Sequence, residues 1–266
     1  MIQLKSADQI RRMRSAGLVV ADALNAVRET VAAGATTADL DAVAAGVIRK
    51  AGATPSFLGY LGYPATICVS VNDEVVHGIP GPRVLAEGDI VSVDCGAIVD
   101  GWHGDAAFTV TVGQPTAADV ALMAATEGAL WAGLAASQVG MRMGDIGAAI
   151  SGHVAAAGAY GILDGYVGHG IGTEMHMDPP VPNEGRAGKG LRLRAGMVIA
   201  IEPMITQGTG DSRVLADDWT VVTADGSRSA HFEHTVAITE AGPWVLTAPD
   251  GGSQRLADLG VACGAA

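Results

Sequence analysis

The sequence predicts an α+β fold of two pseudo-symmetric halves, each a helix pair followed by strands, with the two strand sets facing a shared antiparallel cleft. The first observation is the order of the hydrophobic patterns, which reads helix, helix, strands, then the same again. The second is an internal recurrence: Gly34, Asp39 and Gly52 return as Gly140, Asp145 and Gly158, and GYLGY (59–63) as GYVGH (165–169), all 106 positions on. Gly88 to Asp94 returns 108 positions on as Gly196 to Glu202. The third is that acids stand inside apolar strands, at matching places in each half.

Taken in order, Ser6 with Gln9 forms a capping box, and the spacing Ile10, Met13, Leu18, Ala21 carries a helix to about Val31, with Gly34 beyond it. Thr36 and Asp39 open a second helix to about Lys50, closed by Gly52. A Gly- and Pro-broken segment, 55–64, leads to the strand 66–71. Ile90 to Val93 and Asp105 to Val112 read as an antiparallel pair about the turn Asp100-Gly101. Thr116 and Asp119 start a third helix to about Ser137, and Gly144-Asp145 a fourth that ends at Gly158. The halves run about 6–112 and 116–246 within a single domain of residues 1–248, and the Gly-, Ala- and Asp-rich tail 249–266 is expected to be partly disordered and to fray at its end.

With 266 residues, 49% of them hydrophobic, the chain can fill a substantial core. Mean hydropathy is positive, yet the most apolar stretch, 120–136, is broken by Thr126 and Glu127, so no membrane span is expected. The start lacks an apolar signal core, which gives a cytoplasmic expectation. Cys68, Cys95 and Cys263 are too few and too uneven for a disulfide framework and are expected reduced. A net charge of −12, from 28 acids against 16 bases, argues against a nucleic-acid surface. Arg186, Lys189, Arg192 and Arg194 read as a solvated loop.

The chemistry concentrates in Val91 to Asp105. For a turn at Asp100-Gly101, opposed residues have an odd index sum, as do Asp94 and Asp105, so both carboxylates face one side of the pair. Like charges on an apolar sheet drive a pKa upward unless cations lie between them. Glu202 follows the apolar strand 195–201, Glu233 opens the strand 234–238, and His169 lies in a glycine-rich turn. The four carboxylates carry a formal charge of −4, which two divalent cations cancel. A carboxylate-rich set with one imidazole suits manganese, iron(II) or cobalt better than structural zinc.

The order Asp94, Asp105, His169, Glu202, Glu233, set in NDEVVHGIP (72–80), GHGIG (168–172), IEPM (201–204) and FEHT (232–235), resembles the type I methionine aminopeptidases of the pita-bread fold, in metallopeptidase family M24. The similarity runs from about Ser6 to Leu246. It implies a hydrolase with two divalent metal ions (Co, Mn or Fe(II)) that removes the initiator methionine from proteins whose second residue is small. It further implies that Asp94 holds one ion and His169 the other, that Asp105 and Glu233 bridge them, and that Glu202 is both ligand and proton acceptor. His77 would contact the scissile nitrogen and His176 the developing oxyanion. Tyr60, Tyr63, Cys68 and Trp219 match positions of the methionine pocket wall. Phe57 and Met175 stand where bacterial members often carry Cys and Phe, and Cys95 where Val is common.

The implied partner is a peptide or nascent-chain N-terminus starting with Met, with a transient ribosome contact, no membrane and a monomeric enzyme. His103, His153, His231 and His234 have no such motif support and are read as structural. A proline-specific peptidase of the same fold would be expected to carry a large N-terminal domain, and a non-catalytic binding module to have lost ligands. No nucleophile elbow, phosphate-cradling loop or Cys-x-x-Cys is present.

Overall fold

The computed structural model describes residues 2–265. Helices α1 (Ala7–Thr30) and α2 (Thr37–Lys50) begin where expected, the first at the expected capping box of Ser6 with Gln9 and the second at a capping box of Thr36 with Asp39. The same device, Thr116 with Asp119, starts α3 (Ala117–Ala136), and α4 spans Met143–Ala157. Each cap satisfies amide groups that the first turn would leave bare, contributing about 1 kcal/mol.

The helix pairs pack behind one curled antiparallel sheet. Its centre is the hairpin of strands Ile90–Val99 and Trp102–Thr111. Asp100 and Gly101 both take positive φ, 50° and 77°, so pairing begins at once with Val99 opposite Trp102. The second strand therefore starts three residues ahead of Asp105, the expected opening residue. From there the sheet passes to Glu233–Thr239, Val198–Ile201, Gly168–Gly170 and Met177–Val181. Ile67–Val71 pairs with the outer side of the hairpin.

The first helix pair and the hairpin bury a core that includes Leu24, Leu40, Ile48, Val69, Val91 and Val93. The second pair buries Leu122, Leu130, Leu134, Ile146 and Ile150 against Ile199, Ile201 and Val236. At roughly 1.5–3 kcal/mol for each fully buried aliphatic side chain, these two cores hold the wall that carries the acids.

Two expectations are corrected. The segment around His169 is a strand between Val198–Ile201 and Met177–Val181 rather than a turn: a Cβ at Gly168 would lie 2.4 Å from the Ala200 carbonyl oxygen, and one at Gly170 2.2 Å from that of Asp178. Its glycines let neighbouring backbones close on the histidine. The tail, expected to fray, folds back as α5 (Ser253–Asp258), with Leu256 fully buried and the Gly264 amide donating to the Pro243 carbonyl at 2.9 Å. One apolar side chain in a Gly- and Ala-rich run gives little periodicity to read. Among the described residues no helix is long and apolar enough to cross a membrane, and the three cysteines are free.

Candidate metal centre

Sheet register brings the acids together. Asp94 and Glu233 are each opposite Ala107, from its two sides, and Asp105 is opposite Gly96. Since side chains alternate along a strand, Asp94, Asp105 and Glu233 share one face, and the small Ala107 leaves the space between them open. Ile201 pairs with His234, and the same register continued by one residue sets Glu202 beside Glu233.

His169 completes the group. Its Nδ1 lies 3.0 Å from the Gly170 carbonyl oxygen, which can only accept, so Nδ1 carries the proton and Nε2 presents a lone pair. That Nε2 lies 3.5 Å from Glu202 Oε1 and 3.9 Å from Asp105 Oδ2. Donor atoms of Asp105, His169 and Glu233 all fall within 4.8 Å of one another.

The electrostatics are those of a site built for cations. Burial raises the Asp94 carboxyl to about 7. Burial first, and then neighbouring acids, lift Asp105 and Glu233 well above the carboxylate range, and Glu202 rises for the same reasons, with Asp94 as its neighbour. Burial pulls His169 down to about 3, which keeps it a neutral donor. Asp94 Oδ1, Asp105 Oδ1 and Glu233 Oε1 are buried without a hydrogen-bond partner among the described residues. Orphaned oxygens of this kind are costly unless a cation meets them. The donor set fits divalent metal.

A cleft of about 240 Å³ opens on this face, and every expected ligand, catalytic and pocket-wall residue lines it. His176 packs its ring 4.2 Å from that of His169, and its Nδ1 is 2.8 Å from the Tyr60 hydroxyl. His77 follows the strand Glu74–Val76 at φ 59°, a backbone strain that turns its ring toward Trp219, 6.3 Å away. Burial lowers its pKa to about 4. Phe57, Tyr63, Cys68 and Met175 form a buried apolar cluster, with Tyr60 and Trp219 packed against it. Gly96 makes this possible, because a Cβ there would lie 2.8 Å from the Phe57 ring. Tyr63 Oη sits 3.0 Å from the carbonyl oxygens of Ile67 and Gly78, which fixes the wall. Cys95 faces the other way, into the core behind the first helix pair.

Two residues were missed. Leu61, 81% exposed, stands at the rim of the cleft. His231 Nε2 lies 4.0 Å from Glu202 Oε2 and 3.9 Å from Glu233 Oε2. Its place two residues before Glu233 was the signal available, since period-2 alternation favours a shared face. The other three histidines left aside stay in structural settings: His103 Nδ1 meets the Ser56 hydroxyl at 2.9 Å, His234 Nδ1 the Thr247 hydroxyl at 2.8 Å, and His153 packs over Gly128.

The sequence profile of metallopeptidase family M24 matches residues 11–240. Methionine aminopeptidase 1 of Mycobacterium tuberculosis is 57% identical over 249 residues, 91% of this chain and 94% of that protein. The crystal structure of methionine aminopeptidase from Thermotoga maritima superposes with a TM-score of 0.91 at 44% identity, covering 93% of this chain and 99% of that one. Prolidase from Pyrococcus furiosus, at 22% identity and a TM-score of 0.75 over 92% of this chain and 65% of its own, shares the fold alone. With the pita-bread architecture and the cluster of acids and histidine at its centre, the chain belongs to metallopeptidase family M24, in its methionine aminopeptidase group.

Proposed function

We propose that this chain is a methionyl aminopeptidase that holds two divalent cations, of the cobalt, manganese or iron(II) kind, and removes an initiator methionine when the next residue is small. The observation that carries the reading is the meeting, in one cleft, of four carboxylates and an imidazole with an apolar slot and two further histidines. Asp94, Asp105, His169, Glu202 and Glu233 would hold the ions, with Asp105 and Glu233 shared. Ions bound there supply positive charge that polarises a peptide carbonyl and lowers the pKa of water.

The chain's own groups do the rest. Glu202, a buried carboxylate beside His169 in the cleft, takes up the proton of the attacking water. His176, on the exposed side of the cleft and oriented by Tyr60, donates to the oxygen on which charge develops. His77, beside Trp219 in the same cleft, contacts the scissile nitrogen. Phe57, Tyr60, Tyr63, Cys68, Met175 and Trp219 surround the first side chain, and sulfur–aromatic contacts contribute roughly 0.3–1.5 kcal/mol to holding a thioether there. The reading extends to one catalytic domain of two pseudo-symmetric halves. It further takes the enzyme as a cytoplasmic monomer acting on nascent N-termini in transient contact with the ribosome.

The test uses metal-stripped protein refilled with one ion at a time and offered Met-Ala-Ser beside Ala-Pro peptides. Release of methionine, dependent on the added ion, supports the reading. Preference for the Xaa-Pro bond would move the chain to proline-specific chemistry.

A further inference from the structure

We infer that His231 is a positioning residue of the metal centre, donating its Nε2–H to Glu202 and Glu233 from the protein side and so fixing how the two carboxylates face the ions. This rests on the reading that Glu202 and Glu233 hold metal.

His231 is 2% exposed, and its Nε2 has no hydrogen-bond partner among the described residues. The nearest polar atoms are Glu202 Oε2 at 4.0 Å and Glu233 Oε2 at 3.9 Å. Glu202 thus stands between two imidazoles, Oε1 toward His169 and Oε2 toward His231. His231 is absent from the lining of the cleft, to which all five proposed ligands belong. It therefore approaches the carboxylates from behind, which suits a supporting donor rather than a sixth ligand. Both separations exceed a hydrogen bond, and the soft terminal torsion of a glutamate is the freedom through which the contact would close.

The backbone is built to hold the ring there. The strand Ser229–His231 pairs with Met204–Thr206, just past Glu202. The His231 amide donates to Thr109 Oγ1 at 2.9 Å, while that hydroxyl lies 2.8 Å from the His231 carbonyl oxygen. Thr109 belongs to the strand that carries Asp105. His231 is thereby tied to the strand of Asp105 and to the strand that follows Glu202, two residues ahead of Glu233.

The experiment titrates metal-stripped wild type, H231Q, H231N and H231L with Co²⁺ by calorimetry, and records the visible cobalt spectrum and the metal-free melting point of each. Glutamine keeps a neutral donor of similar reach, asparagine keeps polarity but falls short, and leucine has none. The expected result is that H231Q matches wild type within about threefold. H231N and H231L should weaken at least one cobalt equivalent by about 10–100-fold and alter its spectrum, with metal-free melting unchanged. Wild-type affinity in both H231N and H231L overturns the inference. H231Q as weak as H231L overturns it too, since it would make the imidazole a direct ligand. A wild type that takes up no cation fails the metal reading itself, and this inference with it.

Discussion

Asp105 and Glu233 are 3% and 2% exposed, and each has an oxygen with no partner among the described residues, so neither makes sense as a surface acid. On the proposed function, replacing either by alanine removes an anion that the two cations would share. Bound metal should fall below two equivalents and turnover should be lost, as metal analysis and peptide assay of D105A and E233A would register; two retained equivalents at near-normal rate would refute the shared role. His176 differs, being an exposed side chain that reaches the cleft through Tyr60 rather than through a carboxylate. H176A should keep its metal and lose about 10²–10³-fold in kcat, the usual effect of removing one oxyanion donor. A parallel loss of metal would make His176 a ligand. At this scale the sequence was most informative where a residue contradicted its surroundings, as an acid does in an apolar strand. It was silent where the contradiction needs the third dimension. His231 reads as an ordinary strand histidine until Glu202, nearly thirty positions earlier, is brought beside it.

Among the elements, helices were legible almost to the residue because their starts are local chemistry: Ser6, Thr36 and Thr116 each accept from the amide three positions on. The strand around His169 was not, since a run of glycines reads as a turn and the reason for them is a neighbour distant in the chain. That reason can be tested. In G170A the new methyl group would meet the Asp178 carbonyl oxygen at 2.2 Å and push the strands Gly168–Gly170 and Met177–Val181 apart. The expected loss is about 1–3 kcal/mol in urea unfolding of the metal-free protein, with weakened metal binding because His169 moves with its strand. An unchanged midpoint would show that the glycine is not there for closeness. The same logic explains the tail, where Leu256 alone finds the core and no periodic pattern announces it.

For the whole molecule, the four buried acids link stability to pH and to metal. Their pKa values in the folded metal-free chain lie above those of the unfolded chain, with Asp94 at about 7. The folded state thus binds more protons than the unfolded one between about pH 4 and the raised values, and the stability that these groups contribute at low pH is lost as pH rises through that window. Divalent cations bind the deprotonated form, so they compensate most where the loss is largest. Melting points of stripped and Mn²⁺-loaded protein should therefore diverge as pH goes from about 5 to about 8, and a constant gap would contradict the account. The pseudo-symmetric plan was legible because glycines and caps recur at a fixed offset. How the halves pair was not, because it depends on the short meeting of Glu233–Thr239 with Trp102–Thr111, at only two residue pairs.

On the proposed function, this architecture closes an apolar slot round an unbranched thioether, with Phe57 and Met175 as part of its wall. The direct measurement is relative kcat/KM, under a single metal, for Met-Ala-Ser, norleucyl-Ala-Ser, Leu-Ala-Ser and Met-Lys-Ser. A change of one group in such a pocket is worth roughly 1–3 kcal/mol, so norleucine should follow methionine at a reduced rate and leucine should fall well behind. Met-Lys-Ser should be refused, because the second side chain would crowd His77 and His176. Leu-Ala-Ser cleaved as well as or better than Met-Ala-Ser would contradict the slot and leave only a broad aminopeptidase.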